Sequence, residues 1–294
     1  MPSIFPSSSA KVINNLAYHD CLPANTEEEQ RLRVQHDVFH RTLGNILLHV
    51  PVDLTERNAA VLESGTGSGI WLLDLARIAP TNVELIGIDI QSKIFPSSLS
   101  IPRNMSFQVN SILELPEDWN NKFTLVHQRL LFTAFTQGEW TTALQNMHRV
   151  LKPGGWIQLF EAEKLSKAGP MFKQLQVLWK SILASRNING IWPHGSKTWR
   201  KLVEDAGFVD IQVRFYDIPI GRWAGQDGED MKENVLRIIQ ALRGPTVENA
   251  GFGVIQGGAE GYDKWTQGVI REVDGGAREP QTRWTMICAR KPGL

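Results

Sequence analysis

The sequence predicts an α/β fold, a mostly parallel sheet with helices on both faces. Three observations predict it. Between residues 59 and 163, short apolar runs alternate with apolar stripes at helical spacing. A glycine-rich turn, Glu63-Ser64-Gly65-Thr66-Gly67-Ser68-Gly69, joins the first run to the first stripe. A second run, beginning at Val83, ends in an acid, Asp89. Strands that alternate with helices pair in parallel through right-handed crossovers. Ligands of such sheets sit beyond the carboxyl ends of the strands, where the strand order reverses.

The elements follow in order. Thr26-Glu27-Glu28-Glu29 has the spacing of a capping box, opening a helix. Leu32, His36, Phe39, Leu43, Ile46 and Val50 then share one helical face as far as Pro51. AAVLESG (59–65) reads as a strand, GIWLLDLARIAP (69–80) as a helix, and VELIGIDI (83–90) and NMSFQVN (104–110) as strands. KFTLVHQ (122–128) is another strand, Trp140, Leu144, Met147 and Leu151 mark a helix, and PGGWIQLFEAE (153–163) closes the alternation. Beyond it, Pro170 stands at the first position of a helix with Met171, Leu175, Leu178 and Ile182 inward. Ser196 caps another, which stops at Gly207. FVDIQVRFYDIPI (208–220) is a long strand, Met231, Val235, Ile238 and Leu242 mark a helix, and RWTMICAR (283–290) is a last strand. Six glycines between 246 and 270 argue against a helix there.

Composition narrows the function. The chain has 294 residues, enough for one or two domains, with 42% hydrophobic and 21% charged residues. That is ordinary globular usage and excludes collagen, coiled coil and disorder. Lys+Arg (31) balances Asp+Glu (31), so neither nucleic acid nor an anionic membrane is an expected partner. No apolar run approaches the roughly 18 residues of a membrane span. The opening MPSIFPSSSA lacks the basic and apolar regions of a secretory signal. Cys21 and Cys288 lie too far apart for a disulfide framework or a clustered zinc site. A cytoplasmic protein without a metal is therefore expected.

The glycine turn carries the chemistry. Glycines let the backbone turn sharply and approach a ligand closely, and Asp89 is placed to accept two ribose hydroxyls. Together they point to a nucleoside-containing cofactor. A dinucleotide fingerprint would need a small residue where Ile70 stands, and no triphosphate-binding G-x-x-x-x-G-K-[ST] is present. The E-x-G-x-G-x-G form fits S-adenosylmethionine.

On VLESGTGSGIW, GIDI, LVHQRLL and RVLKPGGWIQLFE, with CLPANTEEEQRLRVQH before them, the chain resembles class I S-adenosylmethionine-dependent methyltransferases, and within them the fungal LaeA-like group of secondary metabolism. The resemblance spans about residues 18–163, with a weaker match at KLVEDAGF (201–208). It implies a Rossmann-like seven-stranded sheet whose last strand is antiparallel, with an N-terminal tail and lid helices over 1–58. The methyltransferase core then covers 59–294, with substrate-cap insertions at about 164–195 and 219–278. It also implies that Glu63, Gly65, Thr66, Gly67 and Gly69 line the amino-acid end of the cofactor, Asp89 its ribose, and Ile90, Asn110, Ser111 and Ile112 its adenine. Ser111 stands where the family has Asp, so its hydroxyl accepts without charge assistance. Tyr18 is expected to close over the cofactor.

His127 ends the fourth strand, facing cofactor and acceptor, and is the candidate catalytic residue, either as a base or as a holder of the loop. His36 reads as a structural histidine on the first helix. His148 reads as a charge complement at a helix end, and Glu161 and Glu163 as loop-fixing acids or contacts to a substrate amine. Trp71, Trp140 and Trp156 belong to the framework. Trp179, Trp192, Trp199, Trp223 and Trp265 fall where an acceptor pocket is built, with Trp192, His194 and Trp223 as the substrate-binding candidates. The expected reaction is methyl transfer to N or O of a small, aromatic or cyclic-peptide-like natural product, a diketopiperazine amide among the options. The alternatives are a LaeA-like regulator acting through partners and a cofactor-retaining enzyme that catalyses a rearrangement. A homodimer that exchanges the N-terminal tail is compatible with the sequence.

Overall fold

The apolar runs at Val61–Leu62, Leu85–Ile86 and Leu125–Val126 are wholly buried, as the two-sided burial of a parallel sheet requires. The computed structural model describes residues 26–185, 188 and 195–293. The strands are β1 (Ala60–Ser64), β2 (Glu84–Asp89), β3 (Met105–Val109), β4 (Phe123–Arg129), β5 (Leu151–Ser166), β6 (Val209–Pro219) and β7 (Gln281–Arg290). The helices are α1 (Thr26–Thr42), α2 (Ile70–Ala76), α3 (Gln137–Val150), α4 (Pro170–Ser185), α5 (Gly195–Asp205), α6 (Gly225–Glu248) and α7 (Gly258–Asp274). One sheet runs in the order β3-β2-β1-β4-β5-β7-β6. β7 is antiparallel to both neighbours, as the family resemblance implies.

The order reverses between β1 and β4, which opens the ligand crevice at their carboxyl ends. Register places Glu63, His127 and Gln158 abreast across β1, β4 and β5. Side chains alternate across a strand, so these three share one face with Val61, Leu125 and Trp156. That face packs on Phe39 of α1 and Trp71 and Leu72 of α2, and the same core continues under α4, α6 and α7. The opposite face, with Leu62, Ile86 and Val126, packs on Trp140 and Leu144 of α3 and Trp199 of α5.

Three elements depart from the sequence reading. α1 stops at Thr42 instead of running to Pro51. Gly44 (φ 74°) and Asn45 (φ 59°) turn left-handed, and the Asn45 amide returns to the His40 carbonyl at 2.8 Å, closing the helix. Leu47 and Val50 remain buried, but through an irregular segment. Secondly, β5 begins at Leu151, before the Pro-Gly-Gly turn, and runs on to Ser166. Thirdly, the glycine-rich stretch contains α7. Its Tyr262, Trp265, Val269 and Val273 are buried, and tertiary packing of that face outweighs glycine's poor propensity. The glycines bring backbones together: a Cβ on Gly261 would stand 1.8 Å from the Gln256 carbonyl oxygen, and one on Gly268 2.6 Å from Met171 Cε in α4.

Gly138, in the first turn of α3, has open space where a Cβ would sit and no positive φ. Gly138→Ala should raise unfolding stability by about 0.5–1 kcal/mol. Gly261→Ala should lower it by roughly 1–3 kcal/mol, both read from urea denaturation.

Candidate active site

At the end of β1 the chain makes three left-handed turns, at Gly65 (φ 65°), Gly67 (φ 53°) and Gly69 (φ 69°). The Gly67 amide donates to Asp89 Oδ2 at 2.9 Å and the Gln91 amide to Oδ1 at 3.1 Å, which draws the glycine loop against the end of β2. A carboxylate has about four acceptor positions, so each oxygen keeps one for a hydroxyl. Glu63 is buried and accepts from Thr66 Oγ1 at 2.5 Å, with the Leu72 amide of α2 also directed at it. Burial pushes its carboxyl up to about 7, against the opposing charge of Arg129. The loop is roofed by side chains. Leu131 lies 2.9 Å from where a Gly65 Cβ would be, and Leu32 of α1 and Ile94 lie 3.6 and 3.8 Å from one on Gly67.

A polar chain anchors that roof. Arg129, at the end of β4, donates from Nη1 to His36 Nδ1 at 2.9 Å, and His36 Nε2 meets Asp74 Oδ2 of α2 at 2.9 Å. A guanidinium has no acceptor, so Nδ1 must be the bare nitrogen and Nε2 carries the proton. Burial, then the charge of Arg129, lowers the His36 pKa to about 4, Asp74 opposing. Asp74 Oδ1 is also paired with Arg77 at 2.7 Å.

Beyond the ends of β4 and β5 lies an open cavity between α1, α4 and α6, with about 730 Å³ of empty space that includes its mouth to solvent. Its walls are mainly apolar, including Leu130, Phe132, Phe172, Trp179, Met231 and Trp284, with Gln35, Gln176, Asn234 and Thr282 as polar members. It shares two walls with the glycine loop. In the segment after β4, Leu131 lies over Gly65 while Leu130 and Phe132 face the cavity; on α1, Leu32 roofs Gly67 while Gln35, one turn on, lines the cavity. Glu161 of β5 holds that segment by accepting the Phe132 amide at 2.9 Å. Burial pushes Glu161 up to about 8, the Leu131 and Phe132 amides opposing. Leu130 adopts φ 66°, a left-handed strain that this pinning supports.

A methyltransferase-domain family model matches residues 61–155. The N-methyltransferase sirN of Leptosphaeria maculans is 40% identical over 225 residues, covering 73% of this chain and 75% of its own length. The N-methyltransferase verN of Clonostachys rogersoniana is 34% identical over 205 residues, covering 68% and 69%. The chain belongs to the class I S-adenosylmethionine-dependent methyltransferases. In the fold alone it is also similar to the YcgJ protein of Bacillus subtilis, with a TM-score of 0.51 and 17% identity over 87% of this chain and 100% of that one.

In this methyltransferase the cofactor-side residues expected from sequence converge. Glu63, Gly65, Thr66, Gly67 and Gly69 form the loop, and Asp89 binds it. The Asn110 amide donates to the Asp89 carbonyl at 2.9 Å, bringing Asn110, Ser111 and buried Ile112 alongside, while Ile90 is 46% exposed next to Asp89. Ser111 Oγ accepts from the Leu113 amide at 3.2 Å. His127 stands abreast of Glu63 on the neighbouring strand. Its ring stacks on Trp71 at 3.7 Å, Nδ1 meets the Gln158 carbonyl at 3.1 Å, and buried Nε2 has no partner among the described residues. Burial, then Arg129, holds its pKa well below 6.5, and it faces a smaller space of about 310 Å³ shared with His36 and Phe39.

The tryptophans divide differently from the expectation. Trp179 lines the large cavity, and so does Trp284, which the sequence reading passed over within a strand. Trp223 does not; its indole N–H donates to the Ile220 carbonyl at 3.0 Å, beside the Gly221 turn. Trp199 packs edge-on against Trp140 at 4.6 Å in the core on the other face of the sheet, and Trp265 ties α7 to the Met171 carbonyl at 3.0 Å. His148 packs edge-on on Phe208, and burial, then the charge of Lys291, lowers its pKa and disfavours the charged form that the sequence reading gave it. Tyr18, Trp192 and His194 lie outside the described residues. Sequence reasoning missed Gln35 and Asn234, which share a cavity only because α6 packs against α1.

His36 gives a pH signature. The unfolded chain takes up its proton near pH 6.5, the folded chain only near pH 4, so stability present above 6.5 is lost as pH falls between these values. Urea denaturation should show His36→Gln losing roughly 2 kcal/mol less than the parent between pH 7 and pH 5.

Proposed function

We propose that this methyltransferase moves a methyl group from S-adenosylmethionine to a nitrogen of a small, mainly apolar secondary metabolite. The shared walls carry the reading: one segment after β4 and one turn of α1 form both the roof of the glycine loop and the side of the large cavity. Four relatives at 32–40% identity that each cover at least two thirds of both chains are named N-methyltransferases, which favours nitrogen over oxygen. A diketopiperazine amide is one such acceptor. Cytoplasmic location and a small-molecule partner, with neither nucleic acid nor membrane, belong to the same proposal. Among the described residues no helix is long and apolar enough to cross a membrane.

The residues present fit the cofactor. Left-handed glycines expose loop backbone, Glu63 offers a buried acid, and Asp89 keeps acceptor positions for a diol. When bound, S-adenosylmethionine supplies an electrophilic methyl on a sulfonium. Glu63 and Thr66 would hold its amino-acid end, Asp89 its ribose, and Ile90 with Asn110, Ser111 and Ile112 its adenine. Leu32, Leu131 and Ile94 must give way at their flexible ends to admit it, and then seal it from water. Much of the acceleration in methyl transfer comes from alignment and dry surroundings. His127, stacked on Trp71 outside the large cavity, serves here as packing that sets the end of β4.

Isothermal calorimetry with S-adenosylhomocysteine tests the cofactor site. Asp89→Ala should weaken binding by about 1.5–3 kcal/mol, the range for hydrogen bonds to a charged group; unchanged affinity would mean that the sugar is held elsewhere. Incubation with methyl-labelled cofactor and a metabolite panel tests the transfer itself. Label should appear on nitrogen with S-adenosylhomocysteine released. Turnover without that release would point to a rearrangement, and binding without turnover to a regulator.

A further inference from the structure

The large cavity carries an unusual pair of side chains. Gln35 of α1 is 4% exposed, lines the cavity, and its carboxamide has no hydrogen-bond partner among the described residues. Asn234 of α6 is 3% exposed and lines the same cavity. Its Oδ1 accepts from Arg31 Nη1 at 2.5 Å. Arginine only donates, so Arg31 fixes which end of the Asn234 amide is oxygen and leaves Nδ2 as a donor with no protein partner among the described residues. Amides that line a mainly apolar cavity wall with hydrogen-bonding capacity to spare are completed by a ligand that enters it. The wall also lacks charge: among the described residues none of its side chains is titratable.

Resting on the reading of this cavity as the acceptor site, we propose that Gln35 and Asn234 are its specificity-determining contacts, selecting an uncharged acceptor that presents a carbonyl oxygen to Asn234 Nδ2 and an amide or similar edge to Gln35. Arg31 is a positioning residue that acts through Asn234. Gln35 and Arg31 lie one helical turn apart on α1, which presents both toward α6. A cationic or anionic acceptor would lose its hydration in this wall with no opposite charge to replace it. A nitrogen that enters is therefore unprotonated and keeps its lone pair for methyl transfer.

The test uses the whole chain saturated with S-adenosylhomocysteine, and again without it. Four probes of one shape are titrated by ligand-detected NMR: hydrocinnamamide, hydrocinnamate, phenylpropylammonium and propylbenzene. Hydrocinnamamide should bind at least about tenfold more tightly than either ion. Gln35→Leu, which breaks no protein hydrogen bond among the described residues, should weaken hydrocinnamamide roughly two- to tenfold and leave propylbenzene unchanged. Asn234→Asp keeps the acceptor for Arg31 but replaces the donor by a carboxylate oxygen, so it should turn the preference toward phenylpropylammonium. Ions that bind the parent as well as the amide does would overturn the proposal, as would an unchanged amide affinity in Gln35→Leu. S-adenosylhomocysteine affinity should stay the same in both variants. Its absence in the parent would remove the methyltransferase reading while the probe order still judges the cavity.

Discussion

A neutral imidazole held between a guanidinium and a carboxylate is the contact on which the site depends. Arg129 reaches His36 from the end of β4 and Asp74 reaches it from α2, so the ring joins α1 to two elements of the core. The consequence follows from helical periodicity. Leu32 and His36 lie four residues apart, and so do Arg31 and Gln35. One stretch of α1 thus roofs the glycine loop, bonds to the sheet, engages Asn234 and lines the cavity. Arg41 extends the attachment to Asp227 of α6 at 2.6 Å, though that pair is exposed and contributes little.

The segment after β4 is the second shared wall. Leu130 is held in a left-handed conformation that costs a β-carbon residue on the order of 1 kcal/mol. What it gains is direction. Successive side chains point to opposite sides, Leu131 to the glycine loop and Leu130 with Phe132 to the cavity. Glu161, mostly protonated at neutral pH because of its burial, secures the segment from β5 without placing a charge on the cavity wall. Glycine loop and cavity are therefore coupled by side chains whose positions are set by buried polar contacts.

Much of this architecture was legible from residue order. The alternation of strands and helices, the glycine turn and the acid ending β2 depend on near neighbours along the chain, and all appear where the sequence puts them. The end of α1 was misread because the apolar spacing continues past Gly44, while the left-handed Gly44-Asn45 pair breaks the helix and keeps Leu47 and Val50 buried by another path. α7 was missed for the opposite reason. Its glycines lower local propensity, and only the close approach to α4 and to the Gln256 carbonyl shows why they are there.

By itself the sequence determined the sheet, the family and the glycine loop at the end of β1, because periodicity and glycine geometry are local properties of the chain. Tertiary structure alone decided which of the tryptophans line a cavity, that His127 is stacked beneath Trp71, and that Gln35 and Asn234 meet across α1 and α6. Those facts rest on which helix faces which, and a buried polar group reveals its purpose only when the groups that fail to satisfy it can be seen.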